Sequence, residues 1–265
     1  MPPIITLTTD FGTRDHYVAA MKGAILSVNP GAQIVDVSHD LPPYDVLEGA
    51  LTIAQAYSCF PDSSIHVVVV DPGVGTARRP IMADVGRYRF VAPDNGVLSF
   101  VYEREERVSV RHITAEHYFR HPVSATFHGR DIFAPVAAYL SKGVAASSVG
   151  EELRDFIRFD VRRPESAGPQ HLRGVILRAD HFGNLITNIR PADVSALFAA
   201  SPAPFVMRVG EGEVCSLRTT FGEGPPGEVF AIVGSMGFLE IVANRGSAAH
   251  ALKADKGSVV TVLWQ

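Results

Sequence analysis

The run Ile65 to Val70, Ile-His-Val-Val-Val-Val, constrains the fold most. A segment this short, this apolar and this rich in β-branched residues reads as a strand buried on both faces. Such strands belong to parallel sheets covered by helices, and the residues before it supply the helices. Ile4 to Thr9 is a first β-branched strand. His16 to Val28 has helical spacing, with Val18, Met21, Ile25 and Val28 on one face, and Asn29-Pro30-Gly31 stops it. Gln33 to Val37 is a second strand. Asp45 to Phe60 is a second helix, with Leu47, Leu51, Ala54 and Tyr57 on one stripe and Pro61 at its end. A βαβαβ order of this kind predicts parallel strands joined by right-handed crossovers.

Past Val70 the rhythm changes. Pro80 to Asp84 and Tyr88 to Ala92 flank Val85-Gly86-Arg87 and predict a hairpin. A short helix is expected over Val97 to Tyr102, a strand over Val108 to Ile113 and a helix over Asp131 to Ser141. Residues 162–169, rich in Pro, Gly and charge, read as a linker. Beyond them come short strands: Leu172 to Ala179, Leu185 to Ile189, Phe205 to Val209, Val214 to Thr220, Val229 to Val233, Leu239 to Val242 and Val259 to Trp264. Their close spacing favours a barrel or sandwich. The expected class is α/β: a mostly parallel α/β sandwich over 1–162, then a smaller C-terminal β domain, barrel or sandwich, over 170–265.

Composition narrows the function. The chain has 265 residues, 46% hydrophobic and 20% charged, with a net charge of −4. That balance is of an ordinary globular protein, and it lacks the basic face expected of a nucleic-acid partner. No apolar stretch of about 18 residues predicts a membrane span. The first residues, Met-Pro-Pro-Ile-Ile, do not read as a signal peptide. Cys59 and Cys215 share no metal-ligand spacing, and two reduced thiols suit a cytoplasmic protein.

Three polar segments stand out. Thr8-Thr9-Asp10-Phe11-Gly12-Thr13-Arg14-Asp15 leaves the first strand, and Asp71-Pro72-Gly73-Val74-Gly75-Thr76-Ala77-Arg78-Arg79 leaves the third. Thr126-Phe127-His128-Gly129-Arg130-Asp131 precedes the Asp131 to Ser141 helix. In open α/β sheets, ligands bind outside the carboxyl ends of strands. Asp10 there can accept both hydroxyls of a ribose diol. Asp15 reads equally as a helix cap or a ligand. The bland alternatives are a surface turn with a local ion pair for Asp71 to Arg79, and a cap paired with Arg130 for Asp131. In the second domain, Asp180-His181-Phe182-Gly183-Asn184 is an Asx turn or a site in which Asn184 reads a purine edge. Gly234-Ser235-Met236-Gly237 and Asn244-Arg245-Gly246 are similar loops.

Four motifs occur in order: Thr-Thr-Asp-Phe-Gly-Thr-x-Asp, Val-Asp-Pro-Gly-Val-Gly-Thr-x-Arg-Arg, Phe-His-Gly-Arg-Asp and Asp-x-Phe-Gly-Asn. Together they resemble the S-adenosyl-L-methionine (SAM) hydrolases, also called SAM hydroxide adenosyltransferases, relatives of the SAM-dependent fluorinase and chlorinase. The resemblance implies an N-terminal α/β domain with a C-terminal β-barrel. It implies a homotrimer with each site between subunits, and the conversion of SAM and water to adenosine and L-methionine. By the same resemblance Asp71, Arg78 and His128 handle the water and Asp10 holds the ribose. Tyr44 is the aromatic near the ribose, Asn184 contacts adenine, and Asp15, Asp180 and Ser235 lie at the methionine end. SAM is the substrate, so no cofactor and no metal are expected. The halogenases carry a tyrosine where this chain has Asp71, and a carboxylate there would repel a halide while accepting a proton from water. Met236 stands where a fluorinase has arginine. Two other readings stay open on the residues: a metal-dependent hydrolase using Asp10, Asp15, Asp71 and His128, and a non-catalytic SAM or adenosine sensor.

Overall fold

The computed structural model describes residues 2–159 and 163–265. The chain divides into two compact units, Met1–Phe159 and Asp160–Gln265.

The first unit opens with the expected alternation: β1 (Ile4–Thr9), α1 (Tyr17–Val28), β2 (Gln33–Ser38), α2 (Val46–Ala56) and β3 (Ile65–Val69). β1 pairs in parallel with both β2 and β3. All five residues of β3 are buried, as a two-face strand requires. α2 begins at a side-chain cap, where Asp45 accepts the Glu48 N–H at 3.2 Å. α1 has none: His16 precedes it without a capping bond, so Asp15 is not the cap.

The chain continues through β4 (Pro80–Val85), β5 (Tyr88–Pro93), α3 (Ser99–Tyr102), β6 (Val108–His112), α4 (Ala134–Ser141) and β7 (Glu152–Leu153). The sheet order is β2-β1-β3-β5-β4-β6-β7. The second strand of the hairpin, β5, lies parallel beside β3, which puts β4 on its outer side. From β4 outward the pairing is antiparallel, so the sheet is mixed, with its parallel half formed by β2, β1, β3 and β5. One face carries Ile5, Leu7, Val67 and Val69, packed with Met21 and Ile25 of α1 and Val136 and Ala137 of α4.

In the second unit the strands are β8 (Glu165–Gly168), β9 (His171–Ala179), β10 (Leu185–Thr187), β11 (Phe205–Val209), β12 (Gly212–Val214), β13 (Val229–Val233), β14 (Leu239–Ala243) and β15 (Val259–Trp264), with α5 (Ala248–Leu252) before the last. Their order is β12-β11-β15-β9-β10-β14-β13, and β8 pairs with β9. After β12 the chain reaches β13, where Leu217 bridges Ala231 and brings the two ends of the order together. The result is nearly a barrel, filled by Leu172, Ile176, Leu185, Met207, Ile241 and Val262.

Two expectations change. Of the linker read at 162–169, Arg162 lies outside the described residues, while residues 165–168 form a strand because their backbone finds partners in β9. The strand read at Val214 to Thr220 is mostly loop, since β12 ends at Val214 and only Leu217 bridges on. No helix among the described residues is long and apolar enough to cross a membrane.

Candidate functional site

The first two polar loops leave the carboxyl ends of neighbouring strands, β1 and β3, which pair Thr9 with Val69. The loop after β3 folds on itself, with Val74 N–H donating to the Asp71 carbonyl and Thr76 N–H to the Gly73 carbonyl, both at 3.2 Å. Arg79 pins its far end. Its Nε donates to Asp94 Oδ2 at 2.9 Å and its Nη1 to Asp155 Oδ1 at 2.8 Å.

Inside this frame Arg78 turns back on Asp71. Its Nε donates to Oδ1 at 3.0 Å and its Nη2 to Oδ2, a two-pronged ion pair. The two side chains are only 9% and 4% exposed. Arg78 Nη2 also lies 3.1 Å from His128 Nδ1. The guanidinium stacks on Phe133 at 5.2 Å, and its Nη1 is buried with no protein acceptor among the described residues. Asp71, Arg78 and His128 are therefore brought together from two loops. Burial, followed by the Arg78 charge, pushes the His128 imidazole below the ordinary 6.5, against the pull of Asp71 and Asp131.

Asp10 stands beside them. Burial raises its carboxyl above the ordinary 3.8, the Tyr44 N–H opposes this, and the nearby Asp71 charge adds to it. Tyr44 N–H donates to Asp10 Oδ2 at 2.8 Å. Tyr44 adopts a positive φ of 67° and exposes its ring. Asp15 is exposed beyond this turn, outside the contacts that tie the cluster together.

Asp131 does not cap a helix. It is fully buried and gathers Arg130 Nε at 2.7 Å, Arg120 Nη1 at 3.3 Å and the Ser124 N–H at 2.9 Å. It thereby closes the loop that carries His128.

The second unit holds its own cluster. Asp180 Oδ1 accepts the N–H groups of Phe182 and Asn184, each at 2.9 Å, and Oδ2 accepts Asn184 Nδ2 at 2.8 Å. The Asx-turn reading thus holds for Asp180, whose oxygens are engaged within the turn. Among the described residues nothing donates to Asn184 Oδ1. A Cβ at Gly183 would lie 2.1 Å from Ser247 Oγ, so the turn packs flush on the start of α5. Beside it is a cavity of about 410 Å³ lined by Phe182, Asn184, Phe221, Ala243, Arg245 and Gly246. Ser235 is exposed in the turn between β13 and β14, while Met236 is buried. The Arg190 guanidinium stacks on Phe238 of the same turn at 4.2 Å. Among the described residues, no three His, Cys, Asp or Glu side chains form a metal-holding group.

A family model for the SAM hydroxide adenosyltransferase N-terminal domain matches residues 5–150, and one for the C-terminal domain matches 174–261. The chain belongs to the SAM hydroxide adenosyltransferase family. It is 38% identical to an (R)-S-adenosyl-L-methionine hydrolase of Thermus thermophilus, over 99% of this chain and 100% of the relative. It is 32% identical to one of Methanocaldococcus jannaschii, over 98% and 96%. A fluorinase of an Actinoplanes species is 30% identical over 98% and 97%. A crystal structure of a conserved protein from Thermotoga maritima superposes with a TM-score of 0.90 at 36% identity, covering 98% of this chain and 99% of that one.

Sequence reasoning missed Phe221 altogether and treated Phe182 only as part of a turn. Both are exposed aromatics, 44% and 73%, on a family chain with ample buried positions to take them. Arg190 was missed as well, because it lies far in sequence from the turn it touches.

Proposed function

We propose that this protein hydrolyses S-adenosyl-L-methionine to adenosine and L-methionine, by attack of water on the ribose C5′. The observation that carries the reading is the convergence of Asp71, Arg78 and His128 beside Asp10. The hydrolase relatives named above support the same activity. Their names specify the (R) sulfonium epimer, which we take as the preferred substrate.

Methionine leaves as a neutral thioether, so no acid is needed for the leaving group. The barrier lies in aligning a water behind C5′ and stripping its shell. Asp10 accepts the ribose hydroxyls and sets the attack line, and Tyr44 covers the sugar. Arginine is a permanent donor, so His128 Nδ1 accepts from Arg78 Nη2 and the imidazole proton sits on Nε2. His128 then orients the water by donating to it. The water's proton passes to Asp71, whose oxygens keep lone pairs beyond the two that Arg78 uses. In sum, SAM and H₂O give adenosine, methionine and H⁺. Nothing in these steps calls for a cofactor. Asp71 also disfavours chloride or fluoride, which makes water the nucleophile.

For the ends of the substrate, we assign adenine to the cavity between Phe182 and Phe221, with Asn184 Oδ1 accepting from the exocyclic amine. Ser235 takes the amino-acid end, and Arg190 supplies the positive charge that Met236 does not. Asp15 and Asp180 complete that end, Asp180 by holding its turn. We also propose a cytoplasmic homotrimer: the unpaired Cys59 and Cys215 suit a reducing compartment, and the subunit number follows the family resemblance. A solution mass about three times 28.6 kDa supports the trimer, and any other overturns it.

The test is incubation with each sulfonium epimer in ¹⁸O-water, with and without chloride. Adenosine labelled at its 5′ oxygen, together with methionine, is expected. A 5′-chloro product, label on the amino-acid fragment, or no turnover would overturn the proposal.

A further inference from the structure

Beneath the Asp10 turn runs a chain of polar groups that the proposed reaction does not use. Thr9, the last residue of β1, is fully buried, and its Oγ1 lies 2.8 Å from His39 Nδ1. His39, 5% exposed, follows β2 directly. Its Nε2 lies 3.1 Å from Asp36 Oδ1, within ion-pair distance but not aligned as a hydrogen bond. Asp36 Oδ2 accepts from Lys22 Nζ of α1 at 2.6 Å.

The far side of the relay meets the turn itself. Phe11 N–H donates to Thr9 Oγ1 at 3.3 Å, and Gly12 N–H donates to the His39 carbonyl at 2.8 Å. Both residues after Asp10 are thus held by the Thr9–His39 pair. Asp10 itself is held by the N–H of Tyr44, from the same loop as His39.

The donor directions agree along the chain. A carboxylate only accepts, so Asp36 favours a proton on His39 Nε2. That leaves His39 Nδ1 to accept the Thr9 hydroxyl proton, and leaves the Thr9 oxygen free to accept from Phe11. A Thr–His–Asp series has the form of an activated nucleophile, but Thr9 has no exposed surface through which a substrate could reach it. The turn also has work to resist. Asp10 and Asp71 are like charges near each other, and a loosely held Asp10 would swing away toward water.

We propose that the Thr9–His39–Asp36 relay is a positioning device, with His39 its central residue, that fixes the Asp10 carboxylate where the ribose diol must dock. The inference rests on the assignment of Asp10 to the ribose, so the test separates the two. Turnover is measured on SAM and on its 2′-deoxyribosyl analogue for Asp10→Ala, Thr9→Val, Thr9→Ser, His39→Leu and Asp36→Asn, with thermal unfolding of each.

Thr9→Val keeps the shape and removes the hydroxyl. It and His39→Leu should lower kcat/KM on SAM by about 10–100-fold, with a much smaller loss on the deoxy analogue, as for Asp10→Ala. Thr9→Ser, which restores the hydroxyl, should recover most of the activity. Asp36→Asn alters a half-exposed group and should show a weaker loss with the same substrate dependence, which keeps the test decisive if a buried variant fails to fold. If Asp10→Ala distinguishes the two substrates but the relay variants lose activity equally on both, the positioning role is wrong and the ribose assignment stands. If Asp10→Ala itself costs the same on both, the ribose assignment falls and the relay's purpose falls with it.

Discussion

His128 gives the proposed chemistry its pH signature. Burial and Arg78 lower its pKa from 6.5, so the neutral ring dominates at pH 7. Protonation would put a hydrogen on Nδ1 facing the Arg78 guanidinium and would break the 3.1 Å contact. Activity should therefore hold through neutral pH and decline only below about 6.5, the ordinary histidine value. Asp10, raised above 3.8, adds a second loss at lower pH, because a protonated carboxyl grips the diol less well. In His128→Asn the histidine limb of a kcat–pH profile should vanish and the Asp10 limb remain; an unchanged profile would place the titration elsewhere. Asp71→Asn should keep SAM binding, measured calorimetrically, and lower kcat by about 10²–10⁴-fold, the usual contribution of a positioned base. Full turnover in that variant would remove Asp71 from the proton's path. These three residues were readable from the sequence because each sits in a motif at a strand exit or a helix entry. Their mutual order, with Arg78 in the middle, was not, since it depends on how two loops meet.

At the scale of elements, that meeting turns on one glycine. Gly75 has φ +78°, and a Cβ there would stand 2.2 Å from the Ala125 carbonyl oxygen. No ordinary side-chain contact is so short, so the loop bearing Arg78 touches the loop bearing His128 only because residue 75 has no side chain. Gly75→Ala should push the loops apart and lower kcat by about tenfold or more, while a thermal-unfolding scan shows the fold intact. Wild-type turnover in this variant would mean that the loops need not touch. The helix after His128 carries a similar lesson. The sequence reads as helix from Asp131, but a π-turn spans Gly129–Phe133 and the α-helix starts at Ala134. Pro135 has no N–H to return to the Asp131 carbonyl, four residues back. That carbonyl accepts the Arg120 N–H at 2.8 Å instead. Periodicity located the helix and could not foresee this exchange, which takes place just after His128. Strand β8 escaped for a related reason, because Glu165 to Gly168 has no apolar alternation and takes its strand form from β9.

Across the whole molecule, the sequence revealed what repeats along the chain, including the βαβαβ start and the short strands that follow, and missed what only the folded chain brings together. The Phe182–Phe221 cavity joins distant loops, and the strand order moves β5 to the inside of its hairpin. His66 belongs to the same class: within the run that announced the fold, it reads as one polar interruption. In the structure it is fully buried, bonded through Nδ1 to Thr6 Oγ1 at 2.7 Å and stacked on Phe90 at 4.9 Å, with the Tyr57, Phe60 and Tyr88 rings around it. Burial lowers its pKa from 6.5 to about 3. A depressed histidine stabilises the fold fully above its unfolded value, and the contribution is lost as pH falls toward the folded value, because the unfolded chain takes up the proton first. His112 and His128 are lowered too, so all three act in the same direction. Asp36 and Asp131, whose lowered carboxyls act the same way, contribute only near and below 3.8. Asp10 and Glu240, whose carboxyls burial raises, act in the opposite direction above their ordinary values, so the histidine share is read from the difference between wild type and a His66 variant. Denaturant unfolding should show about 2 kcal/mol less stability at pH 5 than at pH 7 from His66 alone. His66→Gln, which stays neutral and can still meet Thr6, should be less stable at pH 7 but lose about one proton from the pH slope. An equal slope in that variant would mean that His66 is protonated in the native core, against the desolvation that its aromatic surroundings impose.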